Sequence, residues 1–364
     1  MKFVDIPGQD RPLEDEITAA ITAIVRRGDF ILGREVGELE DMLKEYLQVQ
    51  NAVLVSSGTD AMALALRALN LPKGSSVITT PFTFFATSEV LINEGLIPKY
   101  VDIDPNTYSI SPESINAAID DKTSAIMPVH IFGGPCDMEG IMEIANERGL
   151  PVIEDCAQAF GASVEGKMVG SFGEFGCFSF YPTKNLGAYG DAGLLVTDDS
   201  EMAEKIRILR NQGSATPYRH DYAGFNSRCD TIQAAVLKAK LPHVDKLNER
   251  RRTIAALYKN GLTGMPGLTL PIEAENTKHV YHQFTIQIES RDALKRALEE
   301  EGIPTAIYYD MGLHRQEALA AFSSVDLPQT EAVCSRVLSL PIHPVLTNEE
   351  INRVINSVRQ FING

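Results

Sequence analysis

The sequence contains no apolar segment long enough to cross a membrane. A helical span needs about 20 consecutive apolar residues, and no such run occurs in the 364-residue chain. The opening stretch, MKFVDIPGQDRPLEDE, soon turns acidic and lacks the apolar core of a secretory leader. These absences predict a cytoplasmic protein that does not act at a membrane.

Basic residues and cysteines are also scarce. The chain has 33 Lys and Arg against 49 Asp and Glu, a net charge of −16, whereas broad nucleic-acid contact needs clustered cations. Nucleic acid is therefore not an expected partner, although backbone amides could still hold a small anion. The five cysteines show no metal-binding spacing. We expect buried thiols in a reducing compartment and no metal site.

What the sequence does contain, up to about residue 200, is an alternation of short β-rich runs with helical patterns. This alternation is typical of a mostly parallel sheet covered by helices on both faces. The last two runs have no helix between them, so we expect one of them to be antiparallel. The seven predicted strands are Ala52–Val55, Val77–Thr80, Lys99–Ile103, Ala125–Val129, Val152–Asp155, Cys177–Phe180 and Leu194–Thr197.

The pattern changes towards the C-terminus. Asp230 with Gln233 resembles a helix capping box, and a second helical stretch covers Asp245–Tyr258. After the turn-rich MPGLTLP, an α+β pattern includes strands at Tyr281–Ile288 and near Ala306–Tyr309. We therefore predict a large α/β domain, residues 1–245, and a smaller C-terminal α+β domain, residues 246–364.

Two glycine- or aromatic-rich segments follow strand ends in the predicted sheet. Ser57-Gly58-Thr59 opens a helix, where free N–H groups and the helix dipole favour a phosphate group. The same residues would also serve as an ordinary N-cap. In TTPFTFFATSE, Phe84 is one of three phenylalanines that either anchor a loop in the core or offer a ring to a flat cofactor.

Two charged residues also follow strand ends. Asp155 ends the apolar run PVIED, and ligands of parallel sheets bind at the carboxyl ends of the strands. Lys184 lies in SFYPTKNLGAYGDAG, a segment that could be a surface loop or could present a nucleophile. Pyridoxal 5′-phosphate needs a phosphate-binding site, an aromatic ring, a carboxylate and a lysine, and the sequence offers all four. This combination predicts a pyridoxal-phosphate site.

Several segments resemble the DegT/DnrJ/EryC1/StrS aminotransferases, in order along residues 3 to 360. The strongest are EDCAQ and SFYPTKN, accompanied by SSGTDA, TPFTFFAT, GFNSR, YHQFTI and YYDMGLHRQ. The resemblance implies a fold type I pyridoxal-phosphate enzyme with a mostly parallel seven-stranded sheet. It also implies L-glutamate as amino donor, a nucleotide-linked keto sugar as acceptor, and a homodimer with shared active sites.

The resemblance further implies a role for each matching residue. Lys184 would form the Schiff base with the cofactor and then act as acid and base, and Asp155 would pair with the pyridine nitrogen. Gln158 would bond the phenolic oxygen, with Phe84 and Ala157 against the two ring faces. The residues implied in phosphate binding are Gly58, Thr59, Ser179 and, across the dimer interface, Asn226. Those implied near the substrate are Arg228, Tyr308, Tyr309 and His314.

The branch of the family is indicated by two further features. Relatives with histidine at the position of Lys184 remove a hydroxyl group, so lysine here favours transamination. GAYGDAG looks like the enzymes that aminate C3 of the sugar, including those acting on a UDP-linked 2-acetamido-3-keto-glucuronate or a dTDP-linked 3-keto-6-deoxyhexose. Such products serve surface polysaccharides or natural products. Asp310 departs from the proline usual in the family, which leaves the sugar open.

The alternatives are a C4-keto sugar aminotransferase, a cyclitol aminotransferase and a pyridoxal-phosphate-dependent sugar dehydratase. A non-catalytic sensor that binds the cofactor is a further class. It is disfavoured because Lys184, Asp155 and Gln158 are all present and no helix-turn-helix or basic region is appended.

Overall fold

The computed structural model describes residues 1–322 and 325–364, which fold into a mixed α/β structure. Its helices are α1 (Ile6–Asp10), α2 (Glu14–Arg27), α3 (Arg34–Leu47), α4 (Gly58–Leu69), α5 (Ala86–Asn93), α6 (Pro112–Ala118), α7 (Met138–Arg148), α8 (Ser200–Arg210), α9 (Thr231–Lys240), α10 (Val244–Leu262), α11 (Arg291–Glu300), α12 (Pro328–Arg336) and α13 (Asn348–Asn363). Short 3₁₀ turns cover Arg11–Leu13, Ile131–Gly133, Leu241–His243, Leu313–Arg315 and Glu317–Phe322.

The strands are mostly four or five residues long, as is common in α/β proteins. They are β1 (Asn51–Val55), β2 (Ser76–Thr79), β3 (Ile97–Tyr100), β4 (Thr123–Met127), β5 (Ile153–Asp155), β6 (Ser163–Val164), β7 (Lys167–Met168), β8 (Phe175–Ser179), β9 (Gly193–Thr197), β10 (Leu268–Thr269), β11 (Thr277–Lys278), β12 (Phe284–Ile288) and β13 (Val337–Leu340). All seven predicted strands are therefore confirmed, with ends shifted by a few residues.

Seven of these strands form one sheet in the order β3-β2-β4-β5-β8-β9-β1. The two halves of the sheet join between β4 and β5, where parallel bridges link Ile126 to Val152 and Val129 to Asp155. β9 runs antiparallel to both of its neighbours, β8 and β1, and the other pairings are parallel. This arrangement confirms the mostly parallel sheet and its antiparallel strand.

The sheet is apolar on both faces because helices cover both. Along β1, Ala52 and Leu54 contact one buried cluster that includes α3 and α9, whereas Val53 and Val55 contact the cluster that includes α4 and α8. Alternate residues of a strand point to opposite faces, and accordingly the four residues of β1 from Ala52 to Val55 are all buried. Burying one large apolar side chain stabilises the fold by about 1.5–3 kcal/mol.

The C-terminal part has a hydrophobic cluster of its own. Helices α10, α11 and α13 pack on the antiparallel sheet β10-β12-β13, with Tyr258 and Phe284 among the buried residues. Thr347 is the N-cap of α13, and a capping box with Glu350 closes the first turn of the helix. The division into residues 1–245 and 246–364 stays a prediction.

Two local predictions were wrong. Asp230 is the N-cap of α9, but its side chain makes no capping hydrogen bond. Gln233 instead accepts a 2.8 Å hydrogen bond from the backbone N–H of Tyr189, so a tertiary contact uses the side chain that a capping box would need. The predicted strand near Ala306–Tyr309 is reduced to one bridge, between Ala306 and Ser339.

Three further observations bear on the sequence predictions. All five cysteines are buried and free, as expected. Helices α2 and α3 were not predicted, although α3 buries Leu39 and Leu43 against the sheet. Within residues 1–322 and 325–364, no helix is both long and apolar enough to cross a membrane.

Candidate active site

The ends of β1, β2, β5 and β8 meet at one edge of the sheet, where a cavity of about 530 Å³ opens. Carboxyl ends of neighbouring parallel strands lie side by side, so segments far apart in sequence converge there. Most of the predicted site residues line this cavity: Gly58, Thr59, Phe84, Asp155, Ala157, Gln158, Ser179, Lys184, Tyr308 and Tyr309.

The N-terminus of α4 forms one wall of the cavity. Ser57 caps the helix by accepting a 3.0 Å hydrogen bond from the N–H of Asp60. A Cβ atom at Gly58 would lie 2.8 Å from Cβ of Ser179, and one at Gly193 would lie 2.3 Å from the carbonyl carbon of Ser57. Only glycines let these three segments approach so closely, and the result is a cradle of backbone and hydroxyl groups.

Asp155 is held in a defined orientation at the end of β5. Its side chain is 4% exposed. Oδ2 accepts a 2.8 Å hydrogen bond from the hydroxyl of Thr87, and Oδ1 accepts a 3.1 Å bond from the N–H of Ala157. Burial raises the pKa of Asp155, while these hydrogen bonds and the nearby Lys184 favour its charged form.

Lys184 lies in the same cavity, on the segment that follows β8. Burial lowers its pKa to about 8, and the carboxylate of Asp155 opposes this shift. A lysine with this pKa is partly neutral near physiological pH, and the neutral amine is the nucleophile and base. The surroundings therefore favour a reactive amine, which a surface loop would not provide.

Three residues form the remaining polar and aromatic walls. The amide of Gln158 accepts a 2.7 Å hydrogen bond from the N–H of Phe132 and donates to the hydroxyl of Tyr309 at 3.4 Å. Phe84 is 61% exposed although it is a large apolar residue. By contrast, Phe82 is fully buried. Each of the two alternatives for this aromatic segment therefore holds for a different residue. Phe82 anchors the loop, and Phe84 faces the cavity.

The structure brings further polar residues to the cavity that sequence reasoning did not select. Thr87, Asp191, His282 and Gln283 line it, together with Tyr181 and Thr183. His282 and Gln283 lie in the YHQ segment, immediately before the buried strand β12. Polar residues directly preceding an apolar strand were the available signal in the sequence.

Three predicted residues do not line this cavity. Asn226 is exposed, and its backbone pairs with that of Asn211. Arg228 donates to the side chain of Asn211 at 3.2 Å, and its Nε atom has no partner among the described residues. His314 is fully buried, and its Nε2 atom lies 3.2 Å from Oε1 of Glu331. Its position differs from the expectation that it lines a sugar cleft.

Glu154, which precedes Asp155, organises the loop behind the cavity. Its carboxylate accepts backbone hydrogen bonds from Gly170, Phe172 and Gly173 at 2.7 to 2.9 Å, and it lies 3.1 Å from Nε2 of His130. These four contacts saturate a fully buried carboxylate. Glu154 therefore fixes the end of β5, on which Asp155 depends, and the sequence alone did not indicate this role.

The family model for the DegT/DnrJ/EryC1/StrS aminotransferase family matches residues 12–359. The chain belongs to this family. It is similar to a UDP-N-acetyl-3-dehydro-α-D-glucosamine 3-aminotransferase of Acidithiobacillus ferrooxidans, 46% identical over 362 residues, which cover 100% of this chain and 98% of the relative. It is also similar to a dTDP-3-amino-3,4,6-trideoxy-α-D-glucose transaminase of Streptomyces venezuelae, 40% identical over 361 residues, 99% of this chain and 95% of the relative.

Solved structures agree with this assignment. The crystal structure of S. venezuelae DesV in complex with a ketimine intermediate superposes with a TM-score of 0.97 and 40% identity, covering 100% of this chain and 98% of the other. The fold is thus that of a fold type I enzyme. As a member of the DegT/DnrJ/EryC1/StrS family, the protein is a pyridoxal-phosphate-dependent aminotransferase.

The residues present fit that cofactor. Ser57, Gly58 and Ser179 build a cradle suited to a phosphate at a helix N-terminus. The exposed ring of Phe84 and the carboxylate of Asp155 border the same cavity as Lys184. One cavity therefore contains an anion-binding site, an aromatic surface, a carboxylate and an amine.

Proposed function

We propose that this aminotransferase moves an amino group from L-glutamate to C3 of a keto sugar linked to a nucleotide. The observation that carries the proposal is the joint placement of Lys184 and Asp155 in one cavity of about 530 Å³. The two curated relatives support the carbon position, because both names specify amination at C3. The products would enter surface polysaccharides or natural products.

In this proposal the cofactor would supply an electron sink for the charge that develops next to the amine. Lys184 would hold the cofactor and, when free as a neutral amine, would move the proton at the reacting carbon. Asp155, held by Thr87 and Ala157, would face the ring nitrogen and keep it protonated. Gln158 would orient the phenolic oxygen, and Gly58, Thr59 and Ser179 would hold the phosphate. Tyr308 and Tyr309 border the space left for the sugar.

The test is a panel of nucleotide-linked keto sugars made in situ by partner dehydrogenases or dehydratases. The panel contains 3-keto and 4-keto isomers with UDP and dTDP, and the readouts are glutamate consumption and product mass. We expect amination of a 3-keto sugar and no loss of a hydroxyl group. Amination only at C4, amination of a cyclitol, or dehydration without glutamate consumption would reject the proposal. Lysine rather than histidine at position 184 disfavours the dehydratase.

We further propose a cytoplasmic homodimer in which each active site takes residues from both chains. Asn226 is exposed outside the cavity of its own chain, which suits a residue that reaches the phosphate of a partner. Large apolar side chains are also exposed, among them Phe30, Ile31 and Tyr218. A contiguous exposed apolar patch is typical of an interface, and in this proposal these residues contribute to the contact between the two chains.

Subunit mixing tests the shared site. Lys184→Ala and Asn226→Ala chains are each impaired, but a mixed dimer would contain one site with an intact Lys184 and an intact Asn226. Random mixing should restore roughly one quarter of the wild-type activity. If both residues served the same chain, mixing would restore nothing, and the shared site would be rejected. Sedimentation of the wild-type protein checks the dimer itself.

A further inference from the structure

A second, smaller cavity lies beside the active-site cavity. We call it the side cavity. It measures about 50 Å³, and four of its lining residues, Thr183, His282, Gln283 and Tyr308, also line the larger cavity. A space of this size holds about two water-sized groups. The side cavity is thus an extension of the active site that can admit a small functional group.

Arg251 of α10 lines the side cavity and is 5% exposed. Its Nη1 atom donates to the carbonyls of Tyr281 and Ile342, both at 3.4 Å, which is long for a hydrogen bond. Its Nε atom is buried and has no hydrogen-bond partner among residues 1–322 and 325–364. No carboxylate in residues 1–322 or 325–364 forms an ion pair with this guanidinium.

An unpaired buried cation is costly, because charged side chains are seldom buried without a counter-charge. Burial lowers the pKa of Arg251 to about 10. His343 also lines the side cavity, and its buried Nδ1 atom has no partner in the part of the chain that the structure describes. Two acidic residues, Asp5 and Glu350, act on the charge of His343. Asp5 already forms an ion pair with Lys2 at 2.7 Å and accepts from the N–H of Gly8, and Glu350 accepts from the N–H of Thr347.

The side cavity lies within electrostatic reach of Lys184. Burial, then the charge of Lys184, then that of Arg251, lowers the pKa of His282. Both cations are therefore close enough to act on His282, and His282 lines both cavities. A ligand that extends from Lys184 past His282 would place its far end near the guanidinium.

We propose that the side cavity is a carboxylate subsite, in which Arg251 binds a carboxylate of a substrate whose reacting group lies at Lys184. The planar guanidinium suits a carboxylate because it can donate two parallel hydrogen bonds. Under the proposed function, which this inference deepens, the carboxylate has two possible sources. One is the distal carboxylate of a dicarboxylic amino donor, and the other is the carboxylate of a uronic acid acceptor.

The variants that test the subsite are Arg251→Gln, Arg251→Lys and a matched control, Arg250→Gln. Arg250 precedes Arg251 on α10 and donates to the carbonyl of Leu346 at 2.7 Å, but it does not line either cavity. The control therefore removes an arginine and a backbone contact without touching the subsite. Far-ultraviolet circular dichroism checks folding, and Arg251→Lys carries the test if Arg251→Gln does not fold.

The first arm measures the donor half-reaction with glutamate and glutamine, which differ by a carboxylate and an amide. If the donor is the source, Arg251→Gln lowers kcat/KM for glutamate about tenfold to a hundredfold and leaves glutamine within about threefold. Arg251→Lys should lower kcat/KM for glutamate less than Arg251→Gln does, because lysine keeps the positive charge. The second arm measures kcat/KM for keto sugars with and without a carboxylate. If Arg251→Gln lowers this value only for the sugar that carries a carboxylate, the subsite belongs to the acceptor.

If Arg251→Gln lowers kcat/KM equally for all substrates, or by no more than Arg250→Gln does, then Arg251 only connects α10 to the neighbouring loops. That outcome overturns the proposal.

A binding measurement separates this inference from the proposed function. Calorimetry on the holoenzyme compares glutarate with pentanoate and UDP-glucuronate with UDP-glucose. At least one carboxylated ligand should bind more tightly than its counterpart, and Arg251→Gln should abolish the difference. If no keto sugar is aminated but this difference persists, the proposed function fails and the subsite stands. If neither pair is distinguished, the subsite is rejected.

Discussion

The Nδ1 atom of His282 lies 3.1 Å from Oδ1 of Asn185, the residue that follows Lys184. The Nδ2 atom of Asn185 donates to Oδ1 of Asn248 at 2.8 Å and to the carbonyl of Val280 at 3.1 Å. Its Oδ1 atom must therefore accept, so the proton of His282 is on Nδ1. This contact ties the segment that carries Lys184 to the start of β12.

Replacing His282 with alanine should destabilise the protein by about 1–3 kcal/mol, because Oδ1 of Asn185 would remain buried without a donor. Urea unfolding at pH 7 measures the change. The control is His220→Ala, an exposed histidine, for which we expect a change within about 0.5 kcal/mol. Equal stabilities for the two variants would show that the contact contributes nothing.

The reactivity of Lys184 should depend on pH around 8. Its pKa is lowered to about 8 by burial, whereas an ordinary lysine titrates near 10.4. In the cofactor-free protein, acylation of Lys184 should therefore increase up to about pH 8 and level off above it. Competitive labelling and mass spectrometry measure the rate, with the exposed Lys73 as internal reference. A rate that keeps rising tenfold per pH unit beyond pH 9 would contradict the lowered pKa.

The same shift predicts how stability changes with pH in the cofactor-free protein. Between about pH 8 and 10.5 the unfolded chain binds more protons at Lys184 than the folded chain does. Stability should therefore rise with pH across this window relative to a Lys184→Met variant. Thermal unfolding of the two proteins at pH 7.5 and 9.5 gives the comparison, and an unchanged difference would contradict the assignment.

Asp155→Asn should cost much more activity than stability. Burial raises the pKa of Asp155, so its charge is a cost to the cofactor-free fold above that pKa and not a gain. At pH 7 the variant should unfold within about 1 kcal/mol of the wild type. Amino transfer should fall at least a hundredfold, because the charge opposite the ring nitrogen is lost. Full activity would remove Asp155 from the mechanism.

Gly193→Ala should weaken cofactor binding. The new Cβ would lie 2.3 Å from the carbonyl carbon of Ser57 and 2.7 Å from the nitrogen of Gly58, so the cradle must shift. We expect at least a tenfold rise in the dissociation constant of pyridoxal phosphate, measured by fluorescence titration. The control is Gly37→Ala on α3, where no heavy atom lies within 4 Å. Equal affinities for the two variants would contradict the cradle.

The sequence alone determined the sheet and the main chemical groups. Each strand of the sheet was predicted from an apolar run of strand length that is followed by a polar or glycine-rich segment. Such a pattern is local, so the sequence alone is enough to recognise it. Parallel strands bring their carboxyl ends together, so the order of these runs is enough to place Ser57, Asp155 and Lys184 at one edge of the sheet.

Only the tertiary structure decided the environment of these groups. The partner of Gln233 is Tyr189, and a contact between distant residues overrides a local capping pattern. His282 and Arg251 reach the site from the C-terminal part of the chain, and their spacing in sequence does not encode that approach. The lowered pKa of Lys184 and the unpaired guanidinium of Arg251 arise from desolvation, which depends on how the whole chain packs around them.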